Sequence, residues 1–254
     1  MDQPDNTSEE LFRASCQGDY DAEPAWDAVR ALRLRGTEEI FQLAKQYAKS
    51  KLPIERARGL DVLAQLGAAL PGAERPHRDE SIQIARELLR DEDPLVVHSA
   101  AWALAHLGGD AAVSALIGMR GNPDPNVRYA VVNGLSESER DDATAAIIEL
   151  MDDPDENVRD WATFALGTLC KRDSPESREA LTKRLNDTDG NARDEAVWGL
   201  AQRRDPNGLR MLMDRLSAEQ WMAGDEMAGR EVLGVPPNTP ATELIAGLKG
   251  LLPP

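Results

Sequence analysis

Asp153-Pro154-Asp155-Glu156-Asn157-Val158-Arg159-Asp160-Trp161-Ala162-Thr163-Phe164-Ala165-Leu166 is the stretch on which the fold turns. It opens on turn-forming residues, with an aspartate placed to cap a helix just before Glu156. Val158, Ala162, Leu166 and Leu169 then recur at the spacing of one helical face. Three other stretches repeat the pattern, beginning at Pro94, Pro125 and Gly190, and their equivalent positions are Val96, Val127, Val158 and Ala192. These registers step by 31, 31 and 34 residues, and a fifth copy starts at Pro53. A period near 30 with two helices per unit is the mark of a solenoid. Where proline opens the copy, at Pro94 and Pro125, its fixed φ suits the first helical position. Small residues four and seven positions after the reference valine let neighbouring helices approach closely, and Gly67 and Gly108 fit helix ends.

The first helices of the units are expected over 80–90, 110–120, 142–151, 175–186 and 207–216. Residues 24–34 and 37–49 read as a further, divergent pair. The expectation is an all-α chain, a right-handed α-solenoid of about five to six helical hairpins. An N-terminal cap covers residues 1–23, the repeat array 24–218, and atypical closing helices 219–254. The last segment divides into helices over 219–233 and 239–252 around Pro236-Pro237.

The chain carries 45 acidic and 29 basic residues, for a formal net charge of −16. Such a balance argues against phosphate backbones and anionic membranes as partners and favours a basic protein. Acidity is concentrated in residues 91–160, which hold 15 acids and 4 bases. Cys16 and Cys170 stand alone without motif spacing, as expected of reduced thiols. The N-terminus has no signal-peptide pattern and no run is long enough to span a bilayer, so a cytoplasmic location is expected, with the free chain a monomer.

The Asp-x-Asp-x-x-Val-Arg pattern (Asp153, Asp155, Val158, Arg159; Asp187, Asp189, Ala192, Arg193) resembles the HEAT repeats, in particular the short bacterial type related to phycobilisome-lyase repeats. The resemblance covers about residues 24–216. It implies that the Asp and Arg of each unit form a ladder of turn-to-helix hydrogen bonds, and it leaves function open, since HEAT repeats are a general binding architecture. Residues 158–165, 185–187 and 192–200 are further similar to HEAT-repeat immunity proteins encoded beside Rhs-type toxins, which implies toxin neutralisation. The alternatives are an adaptor or assembly factor docking two components, and a bilin lyase.

Candidate binding residues follow from the helical wheel. At about 100° per residue, positions two and six after the reference valine point away from the core stripe. The former are His98, Tyr129, Asp160 and Asp194; the latter are Trp102, Asn133, Phe164 and Trp198. In α-solenoids the second helices line the concave surface, so these eight residues are the expected partner-binding set. Trp161, three after its valine, is assigned to packing. No catalytic residue, metal site or cofactor is expected. The three histidines make no His-Glu pair of the kind di-iron HEAT-repeat hydroxylases need, and neither a phosphate-cradling glycine loop nor a Ser–His–Asp arrangement is present.

Overall fold

The computed structural model describes residues 6–68, 75, 77–170, 172–218 and 223–253. All regular structure among them is helical. The order is α1 Ser8–Ser15, α2 Glu23–Arg35, α3 Glu38–Tyr47, α4 Pro53–Ala64, α5 Arg78–Leu88, α6 Pro94–Leu107, α7 Asp110–Gly118, α8 Pro125–Leu135, α9 Asp141–Leu150, α10 Glu156–Phe164, α11 Pro175–Arg184, α12 Gly190–Gln202, α13 Pro206–Ser217, α14 Ala223–Leu233 and α15 Ala241–Gly250. A π turn over Ala165–Leu169 extends α10. The fold is an all-α solenoid of HEAT-type hairpins. Its backbone packing separates two compact units, Met1–Gly134 and Leu135–Pro254.

In the first unit α1 packs on α2, α3 on α4 and α5 on α6, while α2, α4 and α6 lie side by side as successive second helices. The segments 24–34 and 37–49 therefore do not pair with each other. The first is the second helix of a hairpin begun by α1, and the other is the first helix of the hairpin completed by α4. The core joins Leu11, Phe12, Val29, Leu32, Ile40, Phe41, Val62 and Leu63. Arg58 is wholly buried there. Its Nε donates to the Ser15 carbonyl at 2.7 Å, its Nη2 to the Tyr20 carbonyl at 2.5 Å and its Nη1 to Asp61 Oδ2 at 3.1 Å. The rings of Tyr20 and Trp26 lie 4.0 and 5.0 Å from its guanidinium carbon. A buried cation so fully satisfied ties the N-terminal hairpin to α4.

In the second unit α10 and α11 pack on α12, α12 on α13 and α14, and α15 on α13 and α14. Val197, Leu209, Leu212, Leu216, Leu244 and Leu248 form its main C-terminal core. Leu244 and Leu248 belong to the expected closing helix. The start expected for its predecessor, residues 219–222, lies outside the described residues.

The stripe positions Val96, Ala100 and Leu104; Val127, Val131 and Leu135; Val158, Ala162 and Leu166; and Ala192, Ala196 and Leu200 are all buried. Leu169 is the exception. It is half-buried, because the wider π turn rotates it off the stripe, and Cys170 is buried just beyond it. The freed carbonyls at this turn are gathered by Arg203, which donates to those of Leu166, Gly167 and Cys170 at 2.6, 2.8 and 3.0 Å.

The aspartate pattern is a repeated capping device. Asp91, Asp153 and Asp187 each accept the backbone N–H two residues on, at 3.0, 2.9 and 2.9 Å. Asp93, Asp155 and Asp189 then cap the helices that follow, accepting from Leu95, Asn157 and Asn191. Arg56, Arg128, Arg159 and Arg193 donate back to the carbonyls six and five residues earlier. Arg56 and Arg159 also reach the next turn. Arg56 makes a two-pronged pair with Asp91 at 2.8 Å on each oxygen, and Arg159 Nε lies 3.9 Å from Asp187.

Candidate functional site

The eight wheel-selected residues are all half-buried. In the first unit His98, Trp102 and Tyr129 come together. Trp102 Nε1 donates to His98 Nε2 at 2.8 Å, and its ring centroid lies 5.9 Å from His106 and 6.0 Å from Tyr129. Asn133 follows one turn after Tyr129 on α8.

In the second unit, α10 and α12 enclose a cleft of about 230 Å³. Its walls are Asp160, Trp161 and Phe164 from α10, and Asn191, Asp194, Glu195 and Trp198 from α12. Four belong to the expected binding set: Asp160, Phe164, Asp194 and Trp198. Apart from Asn191, the cleft is built from equivalent positions of two consecutive repeats, two, three and six after the reference residue. It lies beside the closest approach of the helices. A Cβ on Gly199 would stand 2.5 Å from Gly167 Cα, so only glycine lets the backbones come so near there. Toward the helix N-termini large side chains replace the glycines and leave the cleft between them.

Each wall is held from behind. Trp198 Nε1 donates to Asp225 Oδ1 at 2.9 Å, and its six-membered ring packs against Gly224, where an added Cβ would come within 2.3 Å of Cζ2. Asp194 Oδ1 pairs with Arg215 Nη1 at 2.7 Å. The Trp161 and Phe164 rings stand 5.0 Å apart, tilted by 39°. Trp161 is thus part of the cleft wall as well as a packing residue. Glu195, which wheel reasoning passed over at position three, accepts a long 3.4 Å bond from Thr168 Oγ1. Its shared register with Trp161 was the available signal.

The cleft is electrostatically unbalanced. Among the described residues, neither Asp160 nor Glu195 has a basic partner within ion-pair distance. Burial, with the nearby carboxylates of Asp160 and Asp194, pushes Glu195 up to about 7. Burial, then Asp189 and Asp187, raises Asp160. Charged forms left wanting a counter-charge mark functional sites more often than random surface. No group of three or more His, Cys, Asp or Glu among the described residues is arranged to hold a metal ion, and none of the described helices is long and apolar enough to cross a membrane.

The architecture and the site thus define a class: a helical-hairpin solenoid with a cleft between successive second helices. The sequence profile of the HEAT repeats matches residues 56–136, 118–170 and 146–223, more than half of the chain. The chain belongs to the HEAT-repeat family. No curated protein matches it. Among solved structures it is similar to YibA of Escherichia coli, with 25% identity over 96% of this chain and 93% of that one, and a TM-score of 0.75. It is also similar to the HEAT-like repeats protein of the archaeon Thermococcus onnurineus, at 16% identity and a TM-score of 0.56 over 99% of this chain and 100% of that one. A third likeness is to the CpcE–CpcF complex of phycocyanin lyase from Nostoc, at 19% identity and a TM-score of 0.50 over 99% and 97%. The last two establish shared fold alone.

Proposed function

We propose that this HEAT-repeat chain is a non-catalytic scaffold that binds a basic protein through the outward positions of its second helices, and that it neutralises a toxin as an immunity protein does. The observation that carries the reading is the cleft between α10 and α12, where three aromatic rings stand beside three carboxylates. Rings held rigidly from behind give large contact area at small entropic cost, as binding anchors require. The surplus of acids over 91–160 would steer a basic partner toward the chain. Within the first unit, His98, Trp102, Tyr129 and Asn133 would form a binding set of their own. The free protein acts as a monomer in the cytoplasm.

The test is co-expression with the protein encoded next to it. Relief of that protein's toxicity, with recovery of a purified one-to-one complex, supports the reading. A toxic neighbour whose effect the chain leaves unchanged, or a harmless neighbour, overturns it. Phe164→Ala is expected to weaken the complex by about 2 kcal/mol if the ring is a central anchor. The separate aromatic group of the first unit favours a second reading, an adaptor that docks two components. Stable ternary complexes without inhibition would distinguish it.

A further inference from the structure

The cleft between α10 and α12 is smaller than the ~300–1,000 Å³ typical of sites for whole small molecules, and its volume of about 230 Å³ suits a single side chain. Its chemistry is that of a cation cage: Trp161, Phe164 and Trp198 line it with aromatic rings, and Asp160, Asp194 and Glu195 line it with carboxyl groups. Those acids are not equivalent. Asp194 is already engaged by Arg215, while among the described residues Asp160 and Glu195 line the space with no cation within ion-pair distance. Asn191 adds an amide at the rim.

We propose that this cleft receives one arginine side chain of a basic protein partner, its guanidinium stacked on the aromatic walls and bridging Asp160 and Glu195. The inference rests on the binding reading above and names what its central site recognises. Arginine fits better than lysine for two reasons. Its planar group stacks on rings, and its fixed fork can serve two carboxylates at once, whereas an ammonium is a compact, strongly hydrated point charge. The cost of holding Asp160 and Glu195 near one another without a counter-charge is relieved when the cation enters.

The pocket's acids make the interaction depend on pH. Glu195 faces Asp160 from α10, Thr168 from the π turn and Asp194 from its own helix, with Arg215 of α13 and Asp225 of α14 behind Asp194 and Trp198. Asp187 and Asp189 act on Asp160 from the turn before α12. With Glu195 titrating at about 7, a guanidinium meets a half-neutral acid near pH 7 and a carboxylate at pH 8. Binding therefore tightens from pH 6 to pH 8.

The full chain, labelled with ¹⁵N, is titrated with N-acetyl-arginine methylamide and with its lysine and citrulline counterparts, following the indole N–H signals of Trp161 and Trp198. The arginine probe is expected to move both signals saturably, at least about fivefold more tightly than lysine and tenfold more tightly than citrulline, and more tightly at pH 8 than at pH 6. Glu195→Gln and Asp160→Asn are each expected to weaken it about fivefold or more and to abolish the pH trend in the first case. Glu179→Gln removes an exposed charge of the same unit and serves as the control for bulk electrostatics. Equal affinity for lysine overturns the arginine assignment. Equal affinity for citrulline overturns the cation cage altogether, as does a loss in Glu179→Gln matching that in Glu195→Gln. Absence of shifts at both indoles also overturns it. If toxicity relief by the wild-type chain survives that result, the binding reading stands and the partner uses another surface.

Discussion

Glu195→Gln should make the protein more stable at neutral pH and leave it unchanged in acid. In the unfolded chain Glu195 titrates at its ordinary value of 4.5, whereas in the folded cleft it titrates at about 7. The folded state thus holds on to a proton that the unfolded state has released. Stability is fully present below pH 4.5 and is lost as pH rises to about 7, above which the loss is constant. At about 1.36 kcal/mol per pH unit, the shift sets a ceiling of roughly 3 kcal/mol. Water on the open side of the half-buried cleft screens the carboxylate, which brings the expected cost to about 1–2 kcal/mol. Glutamine keeps the size of the side chain and its reach to Thr168 Oγ1, and it carries no charge to desolvate. Thermal melts followed by circular dichroism at pH 4.5, 6 and 8 measure the difference. The variant should coincide with the parent at pH 4.5 and melt about 2–6 °C higher at pH 8. A gap that does not change with pH, or a variant that melts lower at pH 8, would refute the claim that Glu195 sits desolvated among like charges. The same variant is expected to bind the arginine probe less well. A residue that costs stability and serves recognition is the usual trade at a binding site.

Gly199→Ala should destabilise the second unit by about 2–3 kcal/mol in urea unfolding, since the new methyl would meet Gly167 Cα at 2.5 Å and backbone cannot step aside; a change under 0.5 kcal/mol would show that the helices part easily. Arg203→Met strips the donor from the carbonyls of Leu166, Gly167 and Cys170. It should cost about 3 kcal/mol and speed amide exchange over 165–170, and unaltered exchange there would mean the π turn stands without it. Arg58→Met leaves Asp61 and the carbonyls of Ser15 and Tyr20 without their buried cation. A loss of about 3–5 kcal/mol is expected, with exchange rising most over residues 8–64. Equal rises in the second unit would contradict that placement.

Much of the fold was legible because each hairpin repeats the same local instructions. Val158, Ala162 and Leu166 announce a buried face by spacing alone, and Asp153 and Asp155 announce the turn and cap because carboxylates satisfy the first free N–H groups of a helix. What local pattern could not supply was register between segments of unlike sequence. Residues 24–34 and 37–49 are both amphipathic helices, and adjacency in sequence suggested a pair; packing instead gave α2 to α1 and α3 to α4. The π turn at Ala165–Leu169 was equally hidden. Its released carbonyls are bound by Arg203, more than thirty residues on, a contact that no local pattern announces.

The cleft shows the same division between what one helix declares and what two helices make. The wheel identifies Asp160, Phe164, Asp194 and Trp198 as facing away from the core stripe, since that follows from one helix. It assigns Trp161 to packing and passes over Glu195, because the edge of one second helix becomes a wall only when the next lies against it. Trp198, which the wheel puts in the expected partner-binding set, is also a packing residue. Its indole nitrogen is committed to Asp225 and its six-membered ring to Gly224, while the side chain still lines the cleft with Phe164. An anchor fixed in this way has little freedom left to lose when a partner arrives, so the packing that half-buries it is part of what would make it bind well.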